Sequence, residues 1–85
     1  MVYYIYVLEE KINKSLYIGF TGDLKKRLIG HKNRDTKTTR NGDYKLIYFE
    51  GYVNKADALG REKFLKGGSG RKYINKQLKH YFLEN

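Results

Sequence analysis

The run Val2-Tyr3-Tyr4-Ile5-Tyr6-Val7-Leu8 constrains this chain more than any other stretch, because every residue in it is β-branched, aromatic or aliphatic. A strand with one wet face alternates apolar and polar residues. Here both faces are apolar, which predicts a strand at the centre of a sheet. Glu9 to Lys14 reads as a polar connection, and Ser15 to Phe20 as a second strand paired antiparallel with the first. Such a hairpin brings Tyr6 and Tyr17 onto adjacent strands, with the register left open.

The remaining elements follow from caps and spacing. Gly19, Thr21, Gly22 and Asp23 break the second strand, and Thr21 or Asp23 can cap a helix that runs to about Asn33. Leu24 and Leu28 point that helix inward, while Arg27 and His31 form an i, i+4 pair along the edge of the same face. Gly30 inside the helix marks either a close backbone approach or a glycine that is only tolerated. Arg34 to Asp43 is a polar loop, Tyr44 to Tyr52 a third strand, and Asn54 the cap of a helix from Lys55 to about Lys66. Gly67-Gly68-Ser69-Gly70 ends that helix, and a last one spans about Arg71 to Leu83, with Ile74, Leu78, Tyr81 and Phe82 on one stripe. The order ββαβαα predicts an α+β fold, a three-stranded antiparallel sheet flanked by helices. Eighty-five residues without an internal repeat predict a single domain over 1–85.

Charge points to the partner. Lys and Arg number 18 against nine Asp and Glu, and the net +9 lies above the magnitude of about 2–8 that solubility asks of a small domain. The cations crowd two blocks, Lys11 to Lys45 and Arg61 to Lys79, as expected of a track for a phosphate backbone. Within them Lys26, Arg34, Arg40, Lys66, Arg71 and Lys72 are candidate nucleic-acid contacts. A membrane surface is the competing polyanion, but no amphipathic lysine-rich anchor or long apolar run is present. The absence of cysteine excludes disulfides and thiolate zinc sites, and His31 and His80 alone do not suggest zinc. With no signal-peptide pattern after Met1, the expectation is an intracellular, cytoplasmic protein.

Five residues stand out as chemistry. Glu62 shares a helical stripe with Ala58 and Leu65, where a carboxylate needs either a cationic neighbour such as a local lysine or a bound ion. The position suits Mg²⁺, which takes one or two protein oxygens and keeps its waters. Arg27 can clamp a phosphate with its planar fork, or be one more solvated cation beside Lys25 and Lys26. His31 titrates near neutrality and suits acid–base work, or packing within a helix. Tyr6 and Tyr17 are good strand residues first. As catalysts they would orient or deprotonate a water, which an ordinary phenol pKa near 10 opposes without local assistance. No P-loop, GxGxxG motif, Ser-His-Asp set or recognition-helix motif is present.

Taken together these residues resemble the GIY-YIG nuclease superfamily, in particular its small stand-alone bacterial members. Tyr4-Ile5-Tyr6 stands for the first motif, with Tyr4 where the family names glycine, and Tyr17-Ile18-Gly19 for the second. Asp23-Leu24 with Arg27 and His31, then Tyr48-Phe49-Glu50, Ala58 to Lys66 and Gly70-Arg71 continue the likeness over nearly the whole chain. The resemblance implies that Glu62 binds a divalent metal, Mg²⁺ or Mn²⁺, and that Arg27 stabilises phosphoryl charge. Tyr6, Tyr17 and His31 would position or activate the attacking water. Asn75 is a possible counterpart of a further family asparagine. The five side chains are expected to converge on one concave, basic surface.

Three functions fit. The leading one is a metal-dependent endonuclease acting on DNA with weak or structure-based selectivity. The second is a nucleic-acid-binding module of the same fold that cleaves poorly or needs a partner protein for targeting. The third is a small RNA- or ribosome-associated protein.

Overall fold

The expected central strand is central. In the computed structural model, which describes residues 1–32 and 43–84, β1 (Tyr3–Glu10) lies between β2 (Leu16–Thr21) and β3 (Tyr44–Tyr52), both antiparallel to it. The chain continues through α1 (Leu24–Lys32), placed between β2 and β3 in sequence, then α2 (Lys55–Lys66), α3 (Gly70–Gln77) and α4 (Lys79–Glu84). The architecture is α+β in the order ββαβαα, with the last helix divided at Leu78. Leu78 leaves helical geometry (φ −108°, ψ 31°), yet its N–H still reaches Ile74 O and its carbonyl still accepts from Phe82. The polar loop expected over 34–43 falls, apart from Asp43, outside the described residues.

Alternation along β1 sends its side chains to two different layers. Ile5 and Val7 face a core made with Ile18 of β2, Ala58 and Leu65 of α2, and Ile74 of α3. Burying each large aliphatic there contributes about 1.5–3 kcal/mol. Tyr6 and Leu8 face the other way and are equally buried, under α1. The ladders share faces accordingly: Val7 pairs Ile18, while Tyr6 pairs Gly19 and Leu8 pairs Tyr17. Against β3 the register slips between Val7 and Leu8, whose partners are Tyr48 and Leu46. Ile47 is the extra residue of a bulge, which bends β3 beside the buried end of β1.

One expectation fails. Glu9 and Glu10 do not belong to a polar connection; they are the last two residues of β1, 2% and 6% exposed. Each carboxylate has the partners that burial demands. Glu9 Oε1 accepts from Tyr81 Oη at 2.5 Å, which fastens α4 to the sheet. Glu10 Oε1 accepts the N–H groups of Ile12 and Asn13 at 2.7 Å each, and Oε2 accepts that of Asp43 at 3.2 Å. Glu10 thereby organises the hairpin turn, and the N–H groups of Asn13 and Asp43 hold its carboxyl below the usual range. Without proline or glycine in that turn, Lys14 takes the left-handed conformation (φ 64°). No helix among the described residues is long and apolar enough to cross a membrane.

Candidate active site

Tyr6 and Tyr17 come from adjacent strands and sit diagonally across the β1–β2 ladder, with ring centroids 6.3 Å apart. Gly19, directly opposite Tyr6, leaves room for the Tyr6 ring to lie across β2. The third member comes from α1. Asp23 Oδ1 caps that helix by accepting Lys26 N–H at 3.0 Å, and Thr21 Oγ1 accepts Asp23 N–H at 3.0 Å. The strand therefore turns into the helix within two residues, and the second turn of the helix carries His31 onto the tyrosines. Tyr6 Oη lies 3.0 Å from His31 Nε2, and the His31 ring meets both phenols edge-on at 5.7 and 5.5 Å.

Burial sets the protonation of this group. Tyr6 is fully buried, and burial with the neighbouring Tyr17 pushes its pKa up to about 12 against the opposing pull of Arg27. His31, 6% exposed, is held below its usual pKa by burial and then by the Arg27 guanidinium. Both groups are therefore neutral near pH 7. Arg27, one helical turn before His31, is exposed, and its charge is felt by both Tyr6 and His31. It lines a cavity of about 510 Å³ together with Lys26, Thr21, Asp23 and Gly30. Among the described residues a Cβ on Gly30 would meet nothing within 4 Å, so this glycine marks no close contact with them.

Glu62 stands across the sheet from this group. It stands on α2, which packs on the Ile5–Val7 face, and its carboxylate pairs with Lys66 Nζ at 3.1 Å (i, i+4). Tyr6, Tyr17 and His31 thus form one contacting group with Arg27 beside it, whereas Glu62 belongs to the helix layer on the opposite face of the sheet. The two layers approach each other at the free edge of β2, where Lys66 and Arg71 line a cavity with Tyr17. Among the described residues no three Asp, Glu or His side chains gather as a metal cluster. The donor set is one carboxylate, about one-fifth exposed, which suits an ion that keeps most of its waters and borrows oxygens from a phosphate.

The candidate cationic contacts divide in the same way. Lys26 lies beside Arg27; Lys66, Arg71 and Lys72 lie on α2 and α3, and Arg34 and Arg40 fall outside the described residues. Asn75 accepts from Arg71 Nε at 3.3 Å, on the exposed side of α3.

Two clusters escaped the sequence reading. Arg61 of α2 grips Glu50 of β3 with two hydrogen bonds of 2.9 Å, and Tyr48 and Tyr52 donate to the same carboxylate. The guanidinium also stacks 4.2 Å from the centroid of Tyr73 and 5.2 Å from that of Phe64. Burial alone would raise the Glu50 carboxyl, but Arg61 and the two phenols outweigh it and hold it below the usual range. Burial and then Glu50 push Tyr52 up to about 12. The signal was present in Tyr48-x-Glu50-x-Tyr52, whose period of two puts all three on one strand face. The second cluster, Glu9 with Tyr81, has no such local signal, since its members stand at opposite ends of the chain.

A family model described as the GIY-YIG catalytic domain matches residues 2–76. A UPF0213 protein of Clostridium perfringens is 45% identical over 65 residues, covering 74% of this chain and 69% of its own length. Another from Streptococcus pneumoniae is 42% identical over 65 residues (74% and 65%), and one from Limosilactobacillus reuteri 40% over 68 residues (75% and 70%). No solved structure gives a significant match.

Proposed function

The chain belongs to the GIY-YIG family, and from that premise we propose that it is a metal-dependent endonuclease hydrolysing phosphodiester bonds in DNA, with weak or structure-based selectivity. The observation that carries the reading is the contact of Tyr6, Tyr17 and His31 beneath an exposed Arg27. Phosphodiester hydrolysis needs a proton taken from water, charge neutralised on the phosphate, and both partners held in line.

Arg27 binds the scissile phosphate through its fork of donors and offsets the charge that develops in the transition state. Tyr17 is the partly exposed phenol, so it meets the attacking water; Tyr6 and His31 lie behind it. We read the three as a proton relay. Tyr17 takes the proton from water while passing its own to the Tyr6 oxygen, and Tyr6 passes its own to Nε2 of neutral His31. Each phenol ends with one proton and the imidazole gains one. This route avoids a free Tyr6 phenolate, which a pKa near 12 makes scarce at neutral pH. Glu62 would hold Mg²⁺ or Mn²⁺, which when bound supplies Lewis-acid neutralisation of the phosphate oxygens. Lys66 would then exchange its carboxylate partner for a backbone phosphate.

A second reading is a nucleic-acid-binding module, non-catalytic or dependent on a targeting partner. The Glu62–Lys66 ion pair favours it, because that carboxylate already has a cationic partner. Nicking of supercoiled and branched DNA with Mg²⁺ or Mn²⁺ separates the two. Wild-type protein cuts, while Glu62→Ala and Arg27→Ala do not. Cutting that survives both substitutions sinks the nuclease assignment, and salt-sensitive binding without cutting establishes the module. Preferential capture of RNA would instead point to an RNA-associated protein.

A further inference from the structure

We propose that the cavity at the free edge of β2 receives one unpaired nucleobase beside the scissile phosphate, so that the preferred substrate carries unstacked nucleotides. The cavity measures about 330 Å³ and is walled by Leu16, Tyr17, Ile18, Ile74, Lys66 and Arg71 among others. Ile18 and Ile74 are buried at 9% and 1% exposure and form its apolar floor; Lys66 and Arg71 are exposed and stand at its mouth. An apolar floor under two cations matches the two halves of a nucleotide, a flat base and an anionic phosphate. The volume is at the low end of small-molecule sites, about 300–1,000 Å³, which suits a single base and not a duplex.

Position supports the same occupant. Tyr17 is a wall of this cavity and a member of the phenol–imidazole group, while Lys66 is a wall and the partner of Glu62. A base seated here would be flanked by both halves of the proposed catalytic set. Arg71 is steadied at the mouth by Asn75, whose Oδ1 accepts from its Nε at 3.3 Å. A paired base must first be unstacked to enter, at a cost that vanishes for a base already single-stranded or bulged. Selectivity for DNA structure then arises with no readout of sequence.

This inference rests on the nucleic-acid reading above, and its primary test is binding without catalysis, with cutting measured separately. The probe is a short duplex carrying one bulged 2-aminopurine, compared with the same duplex fully paired, in buffer free of divalent metal. Binding of the bulged duplex should be at least about tenfold tighter, a difference that corresponds to one factor of ten in Kd. The methyl resonances of Leu16, Ile18 and Ile74 should shift with the bulged probe and stay in place with the paired one. Leu16→Glu, which puts a carboxylate into the cavity, should abolish the preference. Equal affinities with unmoved methyl resonances would overturn the base pocket. A protein that binds the bulge but cuts nothing with Mg²⁺ keeps the pocket and loses the nuclease. One that cuts paired and bulged DNA alike without methyl shifts keeps the nuclease and loses the pocket.

Discussion

Tyr6 and Gly19 face each other across the β1–β2 ladder, and the phenol ring fills the volume that a side chain on Gly19 would need. A Cβ there would lie 2.2 Å from Tyr6 Cζ and 2.3 Å from its hydroxyl oxygen. The glycine that closes Tyr17-Ile18-Gly19 is thus a steric condition for the position of Tyr6. Its backbone conformation makes no such demand, since no glycine among the described residues has positive φ.

Gly19→Ala therefore forces Tyr6 off its site. The expected cost is about 1–3 kcal/mol of overpacking, read as a lower denaturation midpoint, with DNA nicking lost beyond what the stability change explains. Gly22→Ala serves as the control: its nearest neighbour would be Met1 Cε at an ordinary 3.5 Å, and its midpoint should barely move.

Tyr6→Phe keeps the ring and removes the hydroxyl. The variant loses the 3.0 Å hydrogen bond to His31 Nε2, at a net cost of about 0.5–1.5 kcal/mol. In the relay described above the variant also breaks the path between Tyr17 and His31. Nicking should fall at least about a hundredfold, in the range typical of general acid–base contributions. Undiminished turnover in this variant would remove Tyr6 from the chemistry and leave it a packing residue.

The pH dependence follows from His31. Its folded pKa is depressed, so the unfolded chain takes up its proton first, near the ordinary value of about 6.5. The stability due to this group is complete above that pH and is lost as pH falls through the lower folded pKa. Chemical denaturation at pH 7 and pH 5 should show the wild type weakening, and His31→Gln should show a flatter profile. The acid limb of the nicking rate should lie below pH 6.5, because the relay needs a neutral imidazole.

Glu62→Ala and Arg27→Ala separate function from stability. Both side chains lie outside the core, and an i, i+4 pair such as Glu62–Lys66 contributes only about 0.3–0.5 kcal/mol. Thermal midpoints should stay within a few degrees of wild type while nicking drops about 10²–10³-fold. Arg27→Lys should recover little, since an ammonium lacks the bidentate fork.

Arg61→Ala is expected to behave in the opposite way. It strips two charge-assisted hydrogen bonds from Glu50 and the stack on Tyr73, destabilising by about 2 kcal/mol or more. Arg61→Lys should rescue only part of this, measured as the shift in denaturation midpoint.

Periodicity and capping made the elements legible. Lys55 to Lys66 and the cap Asn54 needed only the helical pattern and a side chain able to accept Ala56 N–H. Tyr6 with Tyr17 was legible as a pair because antiparallel neighbours must share a ladder, although the register was not. Glu9 and Glu10 misled because a carboxylate looks like surface until its partners are known. Tyr81 stands at the far end of the chain, and Asp43 contributes only a backbone N–H. Glu62 was singled out by its stripe, but spacing within α2 carries nothing about which sheet face that helix covers. That information lives in long-range packing of Ala58 and Leu65 against Ile5, Val7 and Ile18.

Because β1 splits its odd and even positions between the core and the phenol–imidazole group, the two cannot be assembled separately. A slip of one residue would send Tyr6 toward Leu65 and Ile74 and turn Ile5 and Val7 toward His31, exchanging both sets at once. The strand thus acts as a checkpoint. A molecule whose core has closed has, by the same pairing, set its tyrosine in place, and a misregistered one is left with neither a fold nor a loose phenol–imidazole group.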